Sequence, residues 1–304
     1  MKNRSNAPGS TRGLDDLSAA AWGPGSSPGH WVLTIVATLF LTTPATAQDC
    51  GTREGTCPTE NGFYRLILPE GVAAPVPALV FLHGGSSTSA AVMKNGAMIR
   101  ELGTRGYALI TPEGQENPPR PRKNWGVFDN RTHPRDDIAF VKEAIADAAR
   151  RGVDPGRVLL AGFSRGGSMV WDIACRAPGT ARAYAPIAGA FWEPLPQSCA
   201  APVDLFHSHG WTDRIVPIEG RSFRNGRVVQ GDLFAGLAVL RRTNGCEPQM
   251  PDDRVIDHEA GLWFRRWTGC AGGRLDLLLH PGGHGTPKGW LTRVLDWFEA
   301  RLAK

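Results

Sequence analysis

Residues 152–176 read GVDPGRVLLAGFSRGGSMVWDIACR. Arg157 to Ala161 is a short apolar run of the kind buried in a parallel sheet, and Gly166 to Arg176 reads as the helix that follows it. Between them lies Gly162-Phe163-Ser164-Arg165-Gly166, a G-x-S-x-G match. A strand, a sharp turn and a helix in that order lift a serine hydroxyl above the end of a sheet. They also leave the amide of the next residue free to hold a developing oxyanion. Gly162, Gly166 and Gly167 provide the room such a crossing demands. Ser164 is therefore the candidate nucleophile, and the Arg165 amide a candidate oxyanion donor. The same pattern occurs at Gly25-Ser26-Ser27-Pro28-Gly29. No strand precedes it there, and Pro28 has no N–H to offer, so it is set aside.

Outward from this turn, strand and helix alternate. Pro77 to His83 (PALVFLH) is an unbroken apolar run ending at Gly84-Gly85, and such runs suit strands covered on both faces. A helix is expected from Ser89 to Leu102 and a strand from Tyr107 to Thr111. Asp136 to Arg150 is an amphipathic helix with Ile138, Val141, Ile145 and Ala148 on one face. Strands are expected at Tyr184–Ala188, Pro202–His209, Leu262–Trp267 and Leu275–His280, and helices at Asp232–Arg242 and the C-terminus. This is an α/β fold with a mostly parallel sheet and helices on both faces, in one domain. The 304 residues carry 34 basic and 29 acidic side chains, a net of +5. Arginine supplies 28 of the basic residues, and they are scattered. A nucleic-acid partner would require a basic stripe or face, so none is expected. At 41% hydrophobic content the chain is also no disordered segment.

Trp31 to Thr42 (WVLTIVATLFLT) is uncharged and about as long as the apolar core of a secretory signal. It is shorter than the roughly 20 residues a membrane span needs. Ala45-Thr46-Ala47 places small residues ahead of a cleavage before Gln48. Residues 1–47 are read as a signal peptide with a long leading segment, and 48–304 as a catalytic domain. The expected location is secreted or periplasmic, with no stable membrane anchor. All six cysteines lie beyond residue 47, and an even count in an exported chain favours disulfides. The sequence-local pairing is Cys50–Cys57, Cys175–Cys199 and Cys246–Cys270. No C-x-x-C pair and no cluster at metal-ligand spacing is present, so no metal is expected.

A serine nucleophile needs a histidine to take its proton and an acid to orient that histidine. With the nucleophile first in the chain, the acid precedes the histidine. His284 sits in the loop Pro281-Gly282-Gly283-His284-Gly285, beyond a strand ending at His280, and is the candidate base. His280, at the strand end, is the alternative. His207 and His209 fall within a strand and read as structural. Asp213, in His209-Gly210-Trp211-Thr212-Asp213, is the candidate acid. Asp232 is the alternative, but as the first residue of a helix it has a capping role available. The second oxyanion donor is expected from the loop after Leu82. Gly85 is chosen there, with Gly84 or Ser86 as alternatives, and His83 is read as a brace for that loop. Arg165, Trp125 and Trp211 are the residues considered for a substrate pocket.

LHGG (82–85), DDIAFV (136–141), GVDPGRVLLAGFSRGG (152–167), HGWTDRIVPIEG (209–220), the pair Cys246 and Cys270, and PGGHG (281–285) together carry a family resemblance. The chain resembles the polyhydroxybutyrate-depolymerase and feruloyl-esterase-like secreted α/β-hydrolases over nearly all of residues 50–304. The resemblance implies a Ser164, Asp213 and His284 triad, cleavage of polyester, feruloyl or acetyl-xylan esters, and no cofactor. Arg165 stands where many such proteins have Asn, and Thr286-Pro287 where many have a Trp. With no appended linker or substrate-binding domain, a soluble ester is favoured over a polymer. The rival readings are a secreted serine peptidase on the same fold and a non-catalytic binding protein on a hydrolase scaffold. The oligomeric state is left open.

Overall fold

The computed structural model describes residues 49–117, 120–127, 133–223, 225–247 and 250–303. The expected signal segment and the discarded serine pattern lie outside the described residues. The strands, in chain order, begin with β1 (Cys57–Thr59), β2 (Gly62–Ile67), β3 (Val76–Leu82) and β4 (Ala108–Pro112). A small ribbon, β5 (Gln115–Asn117) and β6 (Arg120–Asn124), precedes β7 (Val153–Phe163), β8 (Ala183–Ile187) and β9 (Leu205–Gly210). A second ribbon, β10 (Arg221–Phe223) and β11 (Val228–Gln230), precedes β12 (Asp253–Asp257), β13 (Leu262–Trp267) and β14 (Leu275–His280). The helices are α1 (Ser89–Met93), α2 (Gly96–Thr104), α3 (Asp137–Arg150), α4 (Arg165–Arg176), α5 (Leu233–Asn244) and α6 (Trp290–Leu302).

Ten strands make one sheet in the order β1-β2-β4-β3-β7-β8-β9-β14-β13-β12. The six from β4 to β14 in this order are parallel, and the strands at both edges are antiparallel. The period-2 alternation of a strand sorts the apolar residues into two cores. On β3, Ala78, Val80 and Leu82 join a cluster with Phe140, Val170, Trp171 and Leu237 from α3, α4 and α5. Leu79 and Phe81 face the other way, onto Met93, Leu102, Leu295 and Phe298 from α1, α2 and α6. On β7, Val158 and Leu160 join the first core, and Leu159 and Ala161 the second. Runs such as Leu79-Val80-Phe81-Leu82 are apolar throughout because both faces of the sheet are covered.

Among the described residues, four of the six helices begin at a side-chain cap. Asp136 accepts from the amides of Ile138 and Ala139 at 3.0 and 3.1 Å. Asp232 accepts from the Ala235 amide at 2.7 Å, the N-capping role anticipated for it. The single helix expected over Ser89–Leu102 is instead two. Asn95 caps the second by accepting from the Met98 amide at 3.1 Å. A short polar side chain that bonds the backbone locally competes with helix continuation, and α1 ends at Met93. The edge hairpin β1–β2, the two ribbons and β12 were not anticipated.

Three disulfides are present, Cys50–Cys57, Cys175–Cys199 and Cys246–Cys270. Cys175 lies in the last turn of α4, and Cys199 lies in the segment that leads to β9. The 24-residue separation closes a loop worth about 3 kcal/mol in the chain-entropy account. At roughly 2–4 °C per kcal/mol for a domain of this size, the Cys175→Ser/Cys199→Ser double variant should melt about 6–12 °C lower. Scanning calorimetry of the two proteins checks this, and equal melting temperatures would refute it.

Candidate active site

Ser164 sits at the junction of β7 and α4 with φ 57° and ψ −119°. A non-glycine residue in that region carries strain of order 1–3 kcal/mol and persists only when its surroundings over-determine it. Here the Ser164 amide donates to the Ile187 carbonyl at 2.9 Å, and its own carbonyl accepts from the Ser168 amide at 2.9 Å. The crossing is close as well as bent. A Cβ on Gly162 would stand 2.6 Å from the Gly166 carbonyl oxygen. One on Gly166 would run into the carbonyl of Leu82 on the neighbouring strand. Both positions therefore need a hydrogen in place of a side chain.

Parallel pairing of β9 and β14 puts Gly210 beside His280 at the same end of the sheet as Ser164. The loops beyond them are laced together: Trp211 donates its amide to the His280 carbonyl at 2.7 Å, and Thr212 donates to Gly282 at 3.2 Å. This brings His284 between the other two side chains. Its Nε2 lies 2.9 Å from Ser164 Oγ, and its Nδ1 lies 2.7 Å from Asp213 Oδ2. An ionised carboxylate only accepts, so Nδ1–H donates to Asp213 and Nε2 is left to receive the serine proton. The Phe163 ring packs on the imidazole with centroids 4.8 Å apart. Burial pushes the Asp213 carboxyl up. Hydrogen bonds from His284 and from the Val216 and Ile215 amides outweigh that and hold it below the ordinary carboxylate value. Those two amides reach Asp213 Oδ1 at 2.9 and 2.8 Å.

The alternative residues lie elsewhere. His280 Nδ1 accepts from the Gly282 amide at 3.2 Å, and Asp232 caps α5. His207 and His209 form a buried line that sequence reasoning left as merely structural. Trp171 Nε1–H donates to His207 Nδ1 at 3.3 Å, and His207 Nε2 lies 2.9 Å from His209 Nδ1. His209 Nε2 in turn lies 2.7 Å from the Val216 carbonyl oxygen. Starting from the indole donor, each ring accepts at Nδ1 and donates at Nε2, so both rings are neutral. Burial lowers the pKa of both, in accord with that assignment. The line ends on Val216, the residue whose amide holds Asp213. The i, i+4 spacing of His209 and Asp213 in HGWTD was the available signal.

The Arg165 amide opens α4, where the first amides have no intrahelical acceptor. Across from it, a Cβ on Gly85 would stand 3.5 Å from Arg165 Cβ, and one on Gly84 3.6 Å from Ser164 Cβ. The loop after β3 thus touches the turn at both glycines. Ser86, an alternative donor, has its amide engaged by the Lys123 carbonyl at 2.8 Å. His83 fastens the loop: its Nδ1 lies 2.8 Å from the Gly84 carbonyl, and its Nε2 accepts from the Gly114 amide at 2.9 Å. Trp125 Nε1 donates to the His83 carbonyl at 2.8 Å. Trp125 is therefore core, whereas Trp211 is 56% exposed and edge-on to Trp263. Arg165 is only partly exposed. Its Nε donates to the Trp125 carbonyl at 3.1 Å, and its guanidinium carbon lies 4.7 Å from the centroid of the Trp192 ring. Burial draws its pKa down to about 10. A cavity of about 450 Å³, lined by Phe81, Met98, Phe163, Ile187, Thr286 and Trp290 among others, opens beside the site.

Among the described residues, no group of three or more potential metal ligands is present, and no helix is long and apolar enough to cross a membrane. No protein-family model matches the chain. A curated relative, "Poly(3-hydroxyalkanoate) depolymerase C" of Paucimonas lemoignei, is 30% identical over 149 residues. That match covers 48% of this chain and 34% of the relative, so the chain spans about a third of its length. Among solved structures, an acetyl xylan esterase from Aspergillus awamori superposes with a TM-score of 0.56 at 12% identity, covering 78% of this chain and 93% of that one. A carboxylesterase from Bacillus cereus gives 0.51 at 11%, covering 78% and 94%. At such identities the likeness is one of fold. The sheet order, the strained serine turn and these superpositions together place the chain among proteins of the α/β-hydrolase fold, with sequence similarity to a polyhydroxyalkanoate depolymerase across 48% of this chain.

Proposed function

We propose that the chain is a serine carboxylic-ester hydrolase acting through an acyl-enzyme. The observation that carries this is the unbroken line from Ser164 Oγ through His284 to Asp213, at 2.9 and 2.7 Å. Ser164 Oγ attacks the ester carbonyl as His284 Nε2 takes its proton, and the carbonyl oxygen becomes an oxyanion held by the Arg165 and Gly85 amides. Asp213 stabilises the imidazolium without being protonated itself. Collapse breaks the bond to the alcohol oxygen, which leaves with the proton from His284 Nε2. A water molecule then attacks the acyl-serine by the same route in reverse, releasing the acid and restoring Ser164. No step calls for a cofactor. The 1–47 segment and three disulfides support export to the periplasm or medium. The named relatives make hydroxyalkanoate and short acyl esters the first substrates to try.

Ser164→Ala should fold as the parent does and lose turnover of p-nitrophenyl butyrate by about 10⁴-fold or more; unreduced turnover would sink the assignment. Asp213→Asn tests the carboxylate separately. The carboxyl is held below its ordinary value of 3.8. Its anion therefore stabilises the fold fully above that value and ceases to do so as pH falls through the lowered native one. The variant should melt below the parent at pH 7, and the difference should narrow as pH falls below 3.8 and through the lowered native value. Thermal melts across this range decide it, and a gap that does not change with pH would refute the charged form.

A further inference from the structure

We propose that the Arg165 guanidinium is a recognition point for a carboxylate carried by the ester substrate, a reading that rests on the hydrolase function above. Arg165 follows the nucleophile directly, so its side chain starts at the reacting centre. Two contacts fix it. Nε is held by the Trp125 carbonyl at 3.1 Å, and the guanidinium carbon lies over the Trp192 ring, 4.7 Å from its centroid. Both supports are themselves anchored: Trp125 is fully buried, with its indole bonded to His83, and Trp192 stacks on Phe223 with centroids 5.8 Å apart. With Nε occupied, the two terminal NH₂ groups, which have no acceptor among the described residues, form a planar fork matched to a carboxylate.

Nothing among the described residues supplies that anion. Arg135 and Arg301, also withdrawn from water, each have one. Arg135 pairs with Asp137 at 2.7 Å, and Arg301 with Asp276 at 3.4 Å. Arg165 has no carboxylate within ion-pair distance among the described residues. Asp172 and Asp137 act on it only through space. The Trp192 indole Nε1–H, on the ring that carries the guanidinium, is buried and has no acceptor among the described residues. Two donor groups without acceptors among the described residues thus meet on the side chain that follows Ser164. A cation withdrawn from water is costly until it is paired, and a fork held in place by a carbonyl and an indole loses little freedom on binding. Arg165 is partly exposed, so a substrate group can reach it.

The carboxylate has two chemical sources, and paired substrates separate them. Monomethyl glutarate against dimethyl glutarate places the charge on the acid half. O-acetyl-3-hydroxybutyrate against its amide places it on the alcohol half. In the parent enzyme, kcat/KM for the charged member should exceed that of its neutral partner by about tenfold to a hundredfold in one pair, mostly through KM. Arg165→Gln should bring that ratio down to one or below, whatever it does to both rates together, and Arg165→Lys should keep part of the preference. A parent enzyme without charge preference in either pair overturns the proposal without recourse to variants. So does a preference that survives in Arg165→Gln, which would make the side chain a strut for Trp125 and Trp192. Failure of the folded parent to turn over any of the four esters would overturn the hydrolase reading itself, and this one with it.

Discussion

The strained backbone of Ser164 is the constraint on which the rest of the molecule depends. A residue at φ 57° and ψ −119° does not relax because it is pinned on both sides. Its amide is bonded to β8 through Ile187, and its carbonyl to the first turn of α4. Those bonds require β7 and β8 to be neighbours in parallel register, as they are. They also require α4 to turn back tightly against β3, which it does because Gly166 brings no Cβ toward the Leu82 carbonyl. Sheet order, register and two missing side chains thus serve one local geometry. The same geometry directs the Arg165 amide and the Ser164 hydroxyl to the same side of the turn.

The acid is held by a different kind of constraint. Asp213 is deeply buried, and its charge is sustained by three donors: His284 and the amides of Ile215 and Val216. The turn bearing those amides is anchored from beneath through the Val216 carbonyl, by the neutral line Trp171–His207–His209. A protonated pair of imidazoles in that position would be expensive, and burial lowers the pKa of both. The line is useful because it is neutral. It fixes a loop from within the core without adding a charge that would compete with His284 for the carboxylate.

Much of this was legible in the sequence, and the reason is physical. β3 and the Val158–Ala161 part of β7 are short apolar runs because a central parallel strand is covered on both faces, and a sharp turn between strand and helix must be rich in glycine. Ser164, Asp213 and His284 could be named because each follows a strand, and the topology brings the ends of those strands together. What could not be read depends on one local competition and on contacts distant in the chain. The break at Asn95 turns on one side chain bonding its own backbone. Ser86 could not be set apart from Gly85 until the Lys123 carbonyl was seen to take its amide. Arg165 reads as a solvated residue at a helix start. It is drawn inward by a carbonyl 40 positions earlier and an indole 27 positions later, and no local pattern encodes that.

The position of Arg165 also bears on the chemistry of a charged substrate. An ester that carries a carboxylate near its reacting carbonyl gains a second negative charge when the oxyanion forms. Two such charges about 6 Å apart, at an effective dielectric of about 20, repel by about 3 kcal/mol, enough to slow the step about a hundredfold. A neutral hydrogen-bonding pocket would bind the substrate and leave that repulsion in place. A guanidinium next to the nucleophile offsets the carboxylate and acts more favourably on the transition state, with its two negative charges, than on the ground state, with one. The cation would then do more than select among esters: it would let the oxyanion donors work on an anionic substrate nearly as they do on a neutral one.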